Sequence, residues 1–232
     1  METTVKKFIA LVGITGDPVT NGHVGLAQVA GDTGYFNEVW LMPCYGHRFG
    51  KDMASAIHRL VMCNVVTNAL GGIYKTSDYE MQHKSDGTAY QTVLGLKADY
   101  PDCKFFWIIG SDNAMKIEKW ADSEKLRAEI PFWVVPRKGT VMDPKVTWFH
   151  ERPHYYMSHT SWEDGISATE VRALLKAGDP SVAKHVHPDV LLYIQTQMDG
   201  YYGPAVRTSD PGDGAGSLPA AETGTENQKS TG

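Results

Sequence analysis

Short apolar runs alternate with longer, half-polar stretches along the chain. Phe8 to Ile14 (FIALVGI), Lys104 to Ile109 (KFFWII) and Phe132 to Val135 (FWVV) are apolar almost throughout. That is the pattern of strands buried on both faces. Glu38 to Met42 (EVWLM) and Ile73 to Met81 predict two further strands, and Tyr155 to His159 a last one. Helices are predicted over Gly22 to Ala30 and over Ser55 to Leu70, where Ile57, Leu60, Val61 and Val65 recur at helical spacing. Thr88 to Tyr100 reads as a helix stopped by Pro101. Asn113 to Trp120 and Ser123 to Ile130 are short helices, and Ser167 to Ala177 and Pro188 to Gln197 close the pattern. Strand and helix in alternation predict an α/β fold, a doubly wound parallel sheet with helices on both faces. Ligands of such sheets sit at the carboxyl ends of the strands, near the point where strand order reverses.

From Gly203 the pattern stops, and Gly, Pro, Ser, Thr, Asp and Glu take over. Such a tail, residues 203–232, is expected to stay disordered, because it has too little to bury against its ordering entropy. The remaining residues, 1–202, suit one domain, and 42% hydrophobic content supplies its core. The formal net charge of -5 argues against sequence-independent binding of nucleic acid, which needs a basic face. Cys44, Cys63 and Cys103 are odd in number and lack metal-site spacing, so reduced thiols in a cytoplasmic protein are expected. Neither a signal peptide nor a run of about 20 apolar residues able to span a membrane is evident.

The chemistry-bearing residues cluster after the first and fourth strands and before the penultimate helix. After FIALVGI comes Thr15-Gly16-Asp17-Pro18-Val19-Thr20-Asn21-Gly22-His23. A strand, a glycine turn and a helix start expose backbone N–H groups to an anion, aided by the helix dipole. Thr20 and His23, three residues apart, reach one side of the first turn. The same stretch also reads as plain turn chemistry with Asn21 as a helix cap. Near the other end, Ser167 and Glu170 form a capping-box pattern, and Ser167, Thr169 and Arg172 set two hydroxyls and a guanidinium at one helix start. After the fourth strand, Gly110-Ser111-Asp112 forms a polar turn. There Asp112 either accepts from ribose hydroxyls or caps a helix, and Trp120 either stacks on a flat ring or packs in the core.

GITGDPVTNGHV resembles the signature of the nucleotidylyltransferase superfamily, roughly G-x-F-D-P-x-[HT]-x-G-H, with Gly16 standing where that family usually has Phe. ISATEVR resembles its I-S-x-T-x-[IV]-R motif. GSDN followed by Trp120, VVPRKG around Arg137, AYQTV beside Thr88 and Thr92, and HPDVLLYI near the end resemble the nicotinamide/nicotinate mononucleotide adenylyltransferase branch. The resemblance runs over about residues 8 to 198 and is patchy between Lys138 and Trp162. It implies a Rossmann-like fold and adenylyl transfer from ATP to nicotinamide or nicotinate mononucleotide, giving NAD or its deamido form and pyrophosphate. It further implies Mg²⁺ carried on the ATP phosphates with no protein metal site, ATP and the mononucleotide as the binding partners, and room for a homo-oligomer.

The resemblance implies His23, Thr20 and Arg172 as the catalytic residues. It implies ATP contacts at Gly13, Ile14, Thr15, Thr20, His23, Gly110, Asp112, Ser167, Thr169 and Arg172. For the mononucleotide it implies Thr15, Lys51, Thr88, Thr92, Trp120 and Arg137. Within the basic stretch Pro43 to Arg59, Pro43 followed by His47-Arg48 resembles the family's P-x-x-x-x-P-H-R loop with residues missing, and the same stretch also reads as a solvated basic loop. Two alternatives stay open. One is the phosphopantetheine branch, where Thr at position 20 is common; the other is a nucleotide sensor without catalysis.

Overall fold

The computed structural model of the protein describes residues 6–46, 53–84, 88–160, 162, 166–198 and 200–203. Lys51, with the rest of the basic stretch at 47–52, and the tail from 204 lie outside the described residues. Six strands form one parallel sheet in the order β3-β2-β1-β4-β5-β6. They are β1 (Lys7–Ile14), β2 (Glu38–Pro43), β3 (Tyr74–Thr76), β4 (Cys103–Gly110), β5 (Phe132–Val135) and β6 (Tyr155–Tyr156). The order runs outward in both directions from the β1/β4 pair, so the carboxyl ends of those two strands flank the switch point.

The apolar runs explain the layers. Ala10, Val12, Phe106 and Ile108 enter one core, with α1 (Asn21–Asp32), α2 (Ala56–Leu70), α7 (Ala168–Ala177) and α8 (Pro188–Gln197) supplying its cover. Their neighbours Ile9, Leu11, Phe105, Trp107 and Ile109 enter a second core on the other face, beneath α4 (Ala89–Asp99) and α6 (Ser123–Glu129). Alternation within wholly apolar strands is what a sheet covered on both sides requires.

Three expectations are corrected. The strand expected over 73–81 is β3 alone, followed by a helical turn, α3 (Tyr79–Gln82). Tyr79 and Glu80 are both buried there, and Glu80 accepts from the N–H of Tyr45 at 3.1 Å and from the Thr92 hydroxyl at 3.0 Å. Those contacts turn the chain inward at a sheet edge. The helix expected over 113–120 is a four-residue turn, α5 (Ser111–Ala114), and a 3-10 turn at Ile117–Lys119. The first helix is capped by Thr20, not Asn21, whose side-chain amide instead donates to the Lys184 carbonyl at 3.1 Å. Among the described residues, no helix is long and apolar enough to cross a membrane. Cys44, Cys63 and Cys103 are free thiols.

Candidate active site

A cavity of about 720 Å³ opens at the carboxyl ends of β1, β2 and β4. One end of it is the turn after β1. Gly13, Ile14, Thr15, Thr20 and His23 line it, and Ser167 approaches from the start of α7. Gly16 takes φ +70°, in the left-handed region open to glycine. Where the family usually carries Phe, this chain has a residue that can make that bend.

His23 is locked by the turn it sits on. Its Nδ1 accepts the backbone N–H of Thr20 at 3.0 Å and lies 3.1 Å from the Thr20 hydroxyl. The imidazole thus takes the place that Glu or Gln holds in a capping box. A backbone N–H can only donate, so Nδ1 carries no proton and the neutral ring holds its proton on Nε2. Burial, followed by the charge of Arg137, lowers the His23 pKa to about 4. At neutral pH the ring is therefore an uncharged donor.

At the other end, Trp120 and Trp107 stand edge to face with ring centroids 6.0 Å apart, and Met42, Thr88 and Ala89 complete the wall. A Cβ on Gly13 would meet Cζ2 of Trp107 at 2.7 Å, so the strand end needs glycine to admit that indole. Trp120 is half-buried, packs against the second core and also lines the cavity.

Between the two ends, Asp112 Oδ2 accepts from Arg137 Nη1 at 2.6 Å. Asp112 Oδ1 is buried with no hydrogen-bond partner among the described residues, an acceptor that a ligand hydroxyl would satisfy. The Arg137 guanidinium lies over the Trp162 ring, 5.4 Å from its centroid. Trp162 is 8% exposed and lines the cavity. The sequence reading missed it, because it lies in irregular chain with no periodicity to mark it.

Of the other expected residues, Ser167 lines the cavity, while Thr92, Gly110, Thr169 and Arg172 stand behind its wall. Thr92 is buried, and its hydroxyl donates to Glu80 Oε1 and to the Thr88 carbonyl. A Cβ on Gly110 would meet Asp112 Oδ1 at 2.6 Å and the Trp162 ring at 2.9 Å, so its role there is close packing. Arg172 donates from Nη1 to the Asp17 carbonyl at 2.6 Å and from Nη2 to the Thr169 hydroxyl at 3.0 Å. Ser167 caps α7 in a full capping box with Glu170, and those hydrogen bonds hold the Glu170 carboxyl below its ordinary range.

Arg59, on the first turn of α2, was read from sequence only as part of a basic stretch. It is 1% exposed and donates to the carbonyls of Thr15, Cys44, Tyr45 and Ala54. It ties the β1 turn to the loop after β2, and its charge is held by backbone dipoles.

A parallel sheet with its cavity at the switch point, a glycine turn feeding a helix, and a donor histidine beside an arginine-bearing helix start define a nucleotide-handling α/β protein. A profile described as cytidylyltransferase-like matches residues 13–174, and the chain belongs to that family of nucleotidyltransferases. Within it the relatives are nicotinate-nucleotide adenylyltransferases. The probable nicotinate-nucleotide adenylyltransferase of Anaeromyxobacter dehalogenans (strain 2CP-1) is 33% identical over 190 residues, covering 81% of this chain and 93% of the relative. The nicotinate-nucleotide adenylyltransferase of Bacillus subtilis (strain 168) is 29% identical over 178 residues, 75% of this chain and 89% of that one. Among solved structures, Plasmodium falciparum nicotinic acid mononucleotide adenylyltransferase complexed with NaAD matches with a TM-score of 0.70 at 22% identity, over 85% of this chain and 98% of that one, which shows the fold.

Proposed function

We propose that the protein transfers the adenylyl group of ATP to nicotinate mononucleotide, forming the deamido dinucleotide and pyrophosphate on the way to NAD. The observation that carries this reading is the continuity of one cavity, from the His23 turn to the Trp120 face. Its volume of about 720 Å³ lies within the range of small-molecule sites. The names of the relatives favour nicotinate over nicotinamide as the acceptor.

In the reaction, an oxygen of the mononucleotide 5′-phosphate attacks the α-phosphorus of ATP in line. The bond from that phosphorus to the bridging oxygen breaks, and pyrophosphate leaves with the electron pair. Catalysis of this kind is positioning and charge stabilisation, without a covalent protein intermediate. His23 donates from Nε2 to the transferring phosphoryl oxygen, with the Thr20 hydroxyl and the turn amides of Gly13, Ile14 and Thr15 beside it. Ser167, Thr169 and Arg172 serve the leaving polyphosphate, Asp112 the ribose of ATP, and Trp120, Thr88 and Arg137 the mononucleotide. Among the described residues no group of three or more His, Cys, Asp or Glu side chains is arranged to hold a metal. Mg²⁺ held by the ATP phosphates would offset their charge.

Pyrophosphate release by the purified protein with ATP and Mg²⁺ tests the reading, with nicotinate mononucleotide, nicotinamide mononucleotide and phosphopantetheine as parallel acceptors. Fastest release with nicotinate mononucleotide is the expected outcome. Release with phosphopantetheine alone, or ATP binding with no release, would overturn it.

A further inference from the structure

The carboxylate of Asp17, in the turn after β1, is 3% exposed. Its Oδ1 accepts from the hydroxyl of Tyr202 and, at 3.4 Å, from the N–H of Ala54. A buried carboxylate needs such donors, and neither of these is a cation. The carbonyl of the same residue accepts Arg172 Nη1 at 2.6 Å. Asp17 is thus gripped by its side chain from the C-terminal segment and by its backbone from α7.

Tyr202 comes after the last helix and is 7% exposed. The seat of its segment is narrow. Gly203 has φ +126°, and a Cβ there would meet Cα of Lys176 at 2.7 Å. The backbone of residue 203 therefore rests directly on the end of α7, the helix whose start carries Ser167, Thr169 and Arg172. The ring of Tyr202 fills core space, as a Phe ring would. Its hydroxyl does something a Phe cannot, which is to hold the turn carboxylate.

We propose that Tyr202 is a positioning residue for adenylyl transfer, holding Asp17 so that the turn and Arg172 keep their mutual geometry. The proposal rests on the adenylyl-transfer reading above. Tyr202 acts through Asp17 and touches neither substrate. Among the described residues, loss of its hydroxyl leaves Oδ1 with one long hydrogen bond, lets the turn relax and loosens the carbonyl that orients Arg172.

The test uses the full chain and three variants, Tyr202→Phe, Asp17→Asn and the double variant, assayed for pyrophosphate release and for mononucleotide binding by titration. Tyr202→Phe is expected to lower kcat/KM for ATP roughly ten- to a hundredfold, the size of one hydrogen bond to a charged group. Mononucleotide affinity should stay within about twofold, which also reports that the variant is folded. In the Asp17→Asn background the same change should add about twofold or less, because residues acting as a unit are not additive. Wild-type kcat/KM in Tyr202→Phe would overturn the proposal, as would effects that multiply in the double variant or equal loss of both substrates. Wild-type protein that releases no pyrophosphate would overturn the adenylyl-transfer reading and this proposal with it, whereas active wild type with an unaffected Tyr202→Phe removes this proposal alone.

Discussion

His23 carries two features that measurements separate. Its Nδ1 is committed to the Thr20 N–H, which leaves Nε2–H as the donor. Replacing it by Ala is expected to lower turnover on the order of a hundredfold or more, as for loss of one oxyanion-type donor, with the fold retained by circular dichroism. Its pKa of about 4 lies below the ordinary 6.5, so the ring is neutral throughout the working range. A plot of kcat/KM against pH, which reports the free enzyme, should show no limb from this residue between pH 6 and 8. Stability behaves differently. The unfolded chain takes up a proton near pH 6.5 that the folded ring refuses until about 4, so stability falls as pH is lowered through that window. His154, also pushed down by burial, acts in the same direction. Melting curves from pH 7 to 4 should show this loss, with a shallower slope for His23→Ala. Trp120→Ala should weaken the mononucleotide more than ATP in separate titrations, and equal weakening would argue for core packing alone.

At the scale of elements, β1 and its turn could be read from sequence because seven successive residues are apolar or glycine and the polar turn follows at once. The stretch after β3 could not. Tyr79 and Glu80 are both buried because Glu80 serves Tyr45 and Thr92 from an inward turn, and a sequence displays a charge without displaying its partners. Arg59 was hidden for the same reason, since its partners are four carbonyls, which every residue possesses. Trp162 and Tyr202 fall outside periodic segments, so nothing local marked them. Gly13 offers a check on how tightly β1 and β4 are fitted. Gly13→Ala sets a Cβ 2.7 Å from the Trp107 ring, and an overpacking cost of about 1–3 kcal/mol is expected in chemical denaturation. Because Trp107 contacts Trp120, mononucleotide affinity should fall as well, and ATP affinity with it, since Gly13 lines the same turn.

For the whole molecule, a parallel sheet with helices on both faces follows from apolar strands joined by helices, whereas the strand order, which locates the cavity, is seen only in the structure. What the sequence could not display is how far apart in the chain the cooperating groups lie. Asp17 meets Arg172 across 155 residues and Tyr202 across 185. Contacts of such separation are the slowest to form, because loop closure precedes any reward from the contact. A chain still being synthesised can build β1, its turn and His23 early, yet it has no Arg172 to set against that turn until α7 has emerged. The turn is then left unbraced on a growing polypeptide, and its contact with Arg172 forms only in the last stage of the protein's own manufacture.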